Sequence, residues 1–112
     1  MVKFDFRGKR ALVTGAGKGI GRDIARYLAA AGADVVALSR TQADLESLAA
    51  EIGCQIQAVD LADADAARAA AEAAGPVDLL VNNAGITILE SFLDTQVESF
   101  DRIMAVNVRA AM

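Results

Sequence analysis

The stretch Thr14-Gly15-Ala16-Gly17-Lys18-Gly19-Ile20-Gly21 constrains this chain more tightly than any other. It follows the apolar run Ala11-Leu12-Val13 and opens an amphipathic segment from Ile20 to Ala31. Strand, glycine turn and helix in that order form an arrangement that holds a phosphate. Lacking a Cβ, Gly15 takes the tight turn, Gly19 lets a pyrophosphate approach the backbone, and Gly21 lets helix and strand pack closely. The helix then directs unpaired N–H groups, and the positive end of its dipole, at the anion. The spacing is T-G-x-x-x-G-x-G rather than G-x-G-x-x-G. Alone it also suits a glycine-rich loop with no ligand.

Around this turn the pattern predicts strands and helices in strict alternation. A strand at Arg10–Thr14 leads into a helix over Gly19–Ala31, whose Ile20, Ile24, Tyr27 and Leu28 fall on one face. Gly32 stops that helix. Val35-Val36-Ala37-Leu38, within a strand at Asp34–Ser39, is the continuous apolar run of a strand buried on both faces. Thr41 is the expected N-cap of a helix over Gln42–Glu51, with Leu45 and Leu48 on one side. A strand at Cys54–Val59 ends in Asp60, and an alanine-rich helix over Asp63–Ala74 is stopped by Gly75-Pro76. A strand at Asp78–Asn82 runs into Asn83-Ala84-Gly85, and a last helical segment begins near Gln96. Such alternation implies an α/β fold with a parallel sheet, right-handed crossovers and helices on both faces.

Ligands in that architecture bind beyond the carboxyl ends of the strands. The glycine turn, Ser39-Arg40, Asp60 and Asn83-Ala84-Gly85 each follow a strand, so they are expected along one rim. A carboxylate after the second strand would select NAD through the ribose hydroxyls and repel an added 2′-phosphate. Here stand Ser39-Arg40-Thr41, with no acid until Asp44 inside the next helix. Arg40 offers a planar fork matched to phosphate, Thr41 a hydroxyl, and Lys18 a second cation. NADP(H) is therefore expected over NAD(H), the alternative being that Arg40 and Lys18 are solvated surface charges. Asp60-Leu61 suits either the adenine edge or a helix cap. Asn82-Asn83-Ala84-Gly85 suits either a close approach to the ribose and nicotinamide or a purely local turn.

Composition narrows the remaining classes. At 112 residues this is one small domain or part of a larger one, and 54 % apolar residues argue against disorder. A net charge of −4 with no continuous basic patch disfavours nucleic acid and membrane surfaces as partners. The lone Cys54 excludes an intrachain disulfide and is read as a buried small hydrophobe in a reducing compartment. The absence of histidine removes histidine triads and the common zinc sites, so no metal is expected. The first residues lack the apolar core of a signal peptide, and no span of ~20 apolar residues occurs. A cytoplasmic location is expected.

Taken together, Thr14-Gly15-x-x-x-Gly19-x-Gly21, Asp60, Asn82-Asn83-Ala84-Gly85 and Asn107 resemble the amino-terminal half of a short-chain dehydrogenase/reductase. Within that family, Arg7–Arg10, Thr14–Arg22, Ser39–Leu45 and Gly75–Ala84 look most like L-xylulose (dicarbonyl) reductases. The resemblance implies a Rossmann-type doubly wound sheet, of which residues 1–112 hold the first four β-α units as a partial NAD(P)-binding domain. It also implies NADPH-linked reduction of a small carbonyl compound by hydride transfer. It places Gly15, Gly19, Ile20 and Gly21 at the phosphates, and Lys18, Ser39, Arg40 and Thr41 near the 2′-phosphate. Asp60 and Leu61 fall by the adenine, Asn83, Ala84 and Gly85 by the ribose, and Val106 against the cofactor. Asn107 matches the asparagine of the family's catalytic tetrad, which holds a water in the proton relay.

The chain departs from the family in one respect. The family's serine and Tyr-x-x-x-Lys pair, which supply and tune the proton donor, have no match in these residues. The sole tyrosine, Tyr27, is followed four residues later by Ala31 and lies in the first helix, where packing is its expected role. The 112 residues alone are therefore expected to be inactive. The fourth strand would be an exposed edge, which favours association between chains as a homo-oligomer. The competing expectations are a nucleotide-binding or self-associating module without catalysis, and a non-functional fragment.

Overall fold

The computed structural model describes residues 4–84, together with Glu98, Asp101, Met104 and Val106. Within 4–84 the order is β1 (Arg10–Thr14), α1 (Gly19–Ala30), β2 (Asp34–Ser39), α2 (Gln42–Ile52), β3 (Gln55–Ala58), α3 (Ala64–Ala74) and β4 (Leu79–Val81). The strands form one sheet in the order β3-β2-β1-β4, every pairing parallel. Thr14 of β1 lies opposite Leu38, Ser39 of β2 opposite Ala58, and Val13 opposite Val81. The carboxyl ends of all four strands therefore finish on one rim. Glu98, Asp101, Met104 and Val106 are helical.

Why β2 needs a continuous apolar run is plain from the two layers it joins. Val35 and Ala37 face a core with Val13, Leu45 and Leu48, on the side of α1 and α2. Val36 and Leu38 face the other side, with Leu12, Val59 and the α3 residues Ala70 and Ala74. Successive strand residues point to opposite faces, so a strand covered on both sides cannot alternate with polar residues. Each buried Val or Leu contributes about 1.5–3 kcal/mol by leaving water.

Helix α1 keeps half of its expected face, with Leu28 buried and Ile24 packed against the core, and departs from it at Ile20 and Tyr27. Its buried residues are Gly21, Ala25 and Leu28, whereas Ile20 is 73 % and Tyr27 52 % exposed. A Cβ placed on Gly21 would lie 2.1 Å from the carbonyl oxygen of Gly15, so the helix start is held directly against the turn. That approach selects small residues over large apolar ones. Tyr27 is thus not a packing residue of the core. The other boundaries fall within a residue or two of expectation. β4 is shorter than expected by a residue at each end, and Asp78 just before it stays tied to β1, donating its N–H to Arg10 O at 2.8 Å while its carboxylate accepts the Arg10 N–H at 2.9 Å.

The helix ends follow the local chemistry. Asp63 caps α3, its side chain accepting the N–H groups of Asp65 and Ala66, both at 3.1 Å. Thr41 precedes α2 in an extended conformation but makes no side-chain cap. Cys54, just ahead of β3, is half-buried against the α1–α2 core, and burial raises its thiol pKa. Among the described residues no helix is long and apolar enough to cross a membrane.

Candidate functional site

The site is built from the corners where strands give way to helices. Gly15 turns with φ +65° directly after β1, and Gly19 opens α1 with φ +63°, a region that favours glycine. Among the described residues nothing lies within 4 Å of where a Gly19 Cβ would stand, so that corner is open on their side. Lys18 is the N-cap residue of α1, in an extended conformation and without a side-chain cap. The first turn of α1 carries no acidic residue. Its N–H groups and positive dipole end therefore remain available to an anion.

Three contacts tie the glycine turn to its neighbours. Ala16 donates its N–H to Leu38 O at 3.0 Å, joining the turn to the end of β2. Asn83 donates its side-chain amide to Gly15 O at 3.3 Å, joining it to the exit of β4. The Thr14 hydroxyl accepts the N–H groups of Asn83 and Ala84 and donates to Val81 O. Gly17 has no positive φ, yet its Cβ would stand 2.7 Å from Ser39 Oγ. A side chain there would crowd Ser39 and Asp44, so the pressure toward glycine comes from space rather than from backbone conformation.

These corners enclose a cavity of about 290 Å³ on the carboxyl rim of the sheet. Gly15 and Lys18 line it from the first corner, and Ser39, Arg40 and Thr41 from the second. Asp60 and Leu61 line it after β3, Asn83 and Ala84 after β4. Val106, 7 % exposed, closes it from the later helical segment. Gly19, Ile20 and Gly21 are not among the lining residues: Gly19 borders no described residue on its Cβ side, Ile20 is exposed, and Gly21 is packed on Gly15. Gly85 and Asn107 lie outside the described residues.

The wall also contains residues that the sequence did not single out for it. Leu38 and Val59 are counted as core by their apolar runs, yet each also lines the cavity next to a strand end. Gly17 sits inside the motif, where its crowding against Ser39 has no sequence signature. Asp44 is the acid that sequence distance from β2 set aside, and the first turn of α2 brings it to the wall.

The charges on the wall are unequal in their commitments. Lys18 and Arg40 are both exposed and make no hydrogen bond or ion pair among the described residues. Asp60 is engaged locally, its carboxylate accepting the Ala62 N–H at 3.0 Å and its carbonyl the Asp63 N–H at 3.0 Å. Lys18 and Arg40 on the wall, with the uncapped start of α1 directly after Lys18, fit a polyanionic nucleotide, and Asp44 and Asp60 are the carboxylates that share that wall.

Comparison with known proteins agrees with this architecture. The sequence matches the family described as short chain dehydrogenase over residues 9–112. L-xylulose reductase of Bos taurus is 57 % identical over 106 residues, which are 94 % of this chain and 43 % of that protein. Carbonyl reductase (NADPH) 2 of Sus scrofa is 52 % identical over 110 residues, 97 % of this chain and 45 % of that one. The crystal structure of L-sorbose reductase from Gluconobacter frateurii, complexed with NADPH and L-sorbose, superposes with a TM-score of 0.86 at 32 % identity. That match covers 98 % of this chain and 46 % of the other. The chain spans less than half the length of these relatives.

Proposed function

This chain belongs to the short-chain dehydrogenase family, and from that premise we propose that its cavity takes NADP(H) for the reduction of a small carbonyl compound. The observation that carries this reading is the pair of cations Lys18 and Arg40, without partners among the described residues, on the wall beside Ser39 and Thr41. A 2′-phosphate would meet the Arg40 fork, the Thr41 hydroxyl and the Lys18 ammonium, where the corner after β2 has no carboxylate of its own. The start of α1 would face the pyrophosphate. Asp60 and Leu61 would meet the adenine, Asn83, Ala84 and Gly85 the ribose, and Val106 would pack on the cofactor. NADPH, when bound, supplies a hydride. The names of two relatives include NADPH, and the names L-xylulose reductase and L-sorbose reductase support a sugar ketone as the substrate class, an α-dicarbonyl resting on the family resemblance alone.

What these residues do in such a reaction is bind and orient. Asn107 is assigned, by resemblance to the family, to hold a water in the proton relay. The 112 residues contain no Tyr-x-x-x-Lys, and their one tyrosine, Tyr27, is half-exposed on α1. That observation favours a second reading for the 112 residues alone: nucleotide binding without turnover. A cytoplasmic, self-associating protein accompanies the first reading.

Titration of the chain with NADPH and NADH tests the first reading. Tighter binding of NADPH is expected, and equal affinity or a preference for NADH would overturn it. Oxidation of NADPH with a dicarbonyl by these residues alone would overturn the second.

A further inference from the structure

Arg22 stands one residue past the glycine motif, and its side chain is only 15 % exposed. One terminal nitrogen of its guanidinium donates to two carbonyl oxygens, Gly17 O and Asp44 O, each at 3.1 Å. The other donates to Ser47 Oγ at 2.9 Å and Glu51 Oε2 at 3.1 Å. Gly17 and Asp44 belong to different corners, the glycine turn and the first turn of α2, and both line the cavity. The glycine turn also approaches both the first turn of α2 and the end of β2, where a Gly17 Cβ would lie 3.1 Å from Asp44 Cβ and 2.7 Å from Ser39 Oγ. Arg22 thus bridges two pieces of backbone that also approach each other directly. Lys18 follows Gly17 directly, and Arg40 lies four residues before Asp44.

We propose that Arg22 is a positioning residue for cofactor selection: by holding the Gly17 and Asp44 carbonyls together, it fixes the separation at which Lys18 and Arg40 present their charges. This rests on the NADP(H) reading of the cavity. A guanidinium suits the task because its planar donors serve several acceptors at once in a set geometry. Arg22 itself need not touch the nucleotide. Its effect falls on the phosphate that distinguishes NADPH from NADH, since only that group would engage both cations.

The test uses the 112-residue chain and its Arg22→Lys and Arg22→Gln variants, each titrated with NADPH and with NADH. Amide hydrogen exchange over residues 15–18 and 40–44 is followed without nucleotide. Lysine keeps the charge and loses the fork, so it separates positioning from simple attraction. Both variants are expected to lose about tenfold in NADPH affinity with NADH affinity changed far less, and to exchange faster at both segments together. Arg22→Lys with the wild-type cofactor ratio and wild-type exchange would overturn the proposal, as would equal losses for the two cofactors. If the Arg22 variants do not fold, Gly17→Ala crowds Ser39 and Asp44 and so presses on the same junction with Arg22 in place. It should show the same selective loss, and an unchanged ratio there would also overturn the proposal. A wild-type chain that binds no NADPH removes the functional reading, while the exchange result still decides whether Arg22 joins the two corners.

Discussion

The hydroxyl of Thr14 accepts the backbone N–H of Asn83 at 3.0 Å, across a sequence separation of 69 residues. The same oxygen accepts the Ala84 N–H at 3.0 Å and donates to Val81 O at 3.3 Å. One side chain therefore fixes the exit of β4 beside the start of the glycine turn, and brings two corners of the cavity together.

Replacing Thr14 by valine keeps the shape and removes the acceptor. The Ala84 N–H then loses its acceptor, while the Asn83 N–H keeps Val81 O at 3.1 Å, at an expected cost of about 1–3 kcal/mol. Urea denaturation should show the loss, and Thr14→Ser should recover most of it. A valine variant as stable as wild type would mean that the hydroxyl does not hold the corners.

Gly21 and Gly53 test space against conformation. Gly53 ends α2 with φ +70° and has nothing within 4 Å of an added Cβ, so alanine meets only strain, about 1–2 kcal/mol. At Gly21 the added Cβ meets the Gly15 carbonyl at 2.1 Å, and backbone cannot step aside as a flexible side chain does. Overpacking of that kind costs about 3 kcal/mol or more. Gly21→Ala should lower the denaturation midpoint further than Gly53→Ala, and the reverse order would contradict the close approach of α1.

Arg40→Asp puts a carboxylate where the proposed 2′-phosphate would sit. Loss of charge-assisted hydrogen bonds, about 1.5–3 kcal/mol, corresponds to NADPH binding roughly tenfold to a hundredfold weaker. NADH should bind as well or better, through the ribose hydroxyls. Affinities measured for both cofactors check this, and an unchanged ratio would leave Arg40 a solvated surface charge.

Glu51 joins α1 to α2 by accepting Arg26 at 2.7 Å and Arg22 at 3.1 Å. Hydrogen bonding from Arg26 is the main cause that holds its pKa below the usual glutamate value of 4.5; burial opposes it and Arg22 adds to it. A carboxylate with a lowered folded pKa contributes stability that is fully present above the ordinary value. That contribution is lost as pH falls through the lowered one. The melting temperature should therefore drop on acidification below about 4.5, by less in Glu51→Gln than in wild type. The pair is surface-exposed, so the difference is small and shrinks further in high salt.

Much of the fold was legible in the chain. Val35–Leu38 announced a doubly covered strand, Leu45 and Leu48 an inward face, and the alternation of elements a parallel sheet. The face of α1 was legible at Ile24 and Leu28 but not at Ile20 and Tyr27, because periodicity ranks residues by hydrophobicity while close packing ranks them by size. Ile20 and Tyr27 therefore point outward, and Gly21 and Ala25 inward. Of the expected site residues, those after β2, β3 and β4 that are described do reach one cavity. Asp44 and Gly17 joined them only once the helix start and the turn were in place.

By itself, the sequence determined the order of strands and helices, the glycine turn after the first strand, and the kinds of group each corner carries. These are local properties, set by propensity, periodicity and backbone sterics. The tertiary structure alone decided which corners share a wall, that Arg22 spans two of them, and that Thr14 reaches Asn83. Such contacts join residues tens of positions apart, and their distances follow from sheet order and register, which no local pattern encodes.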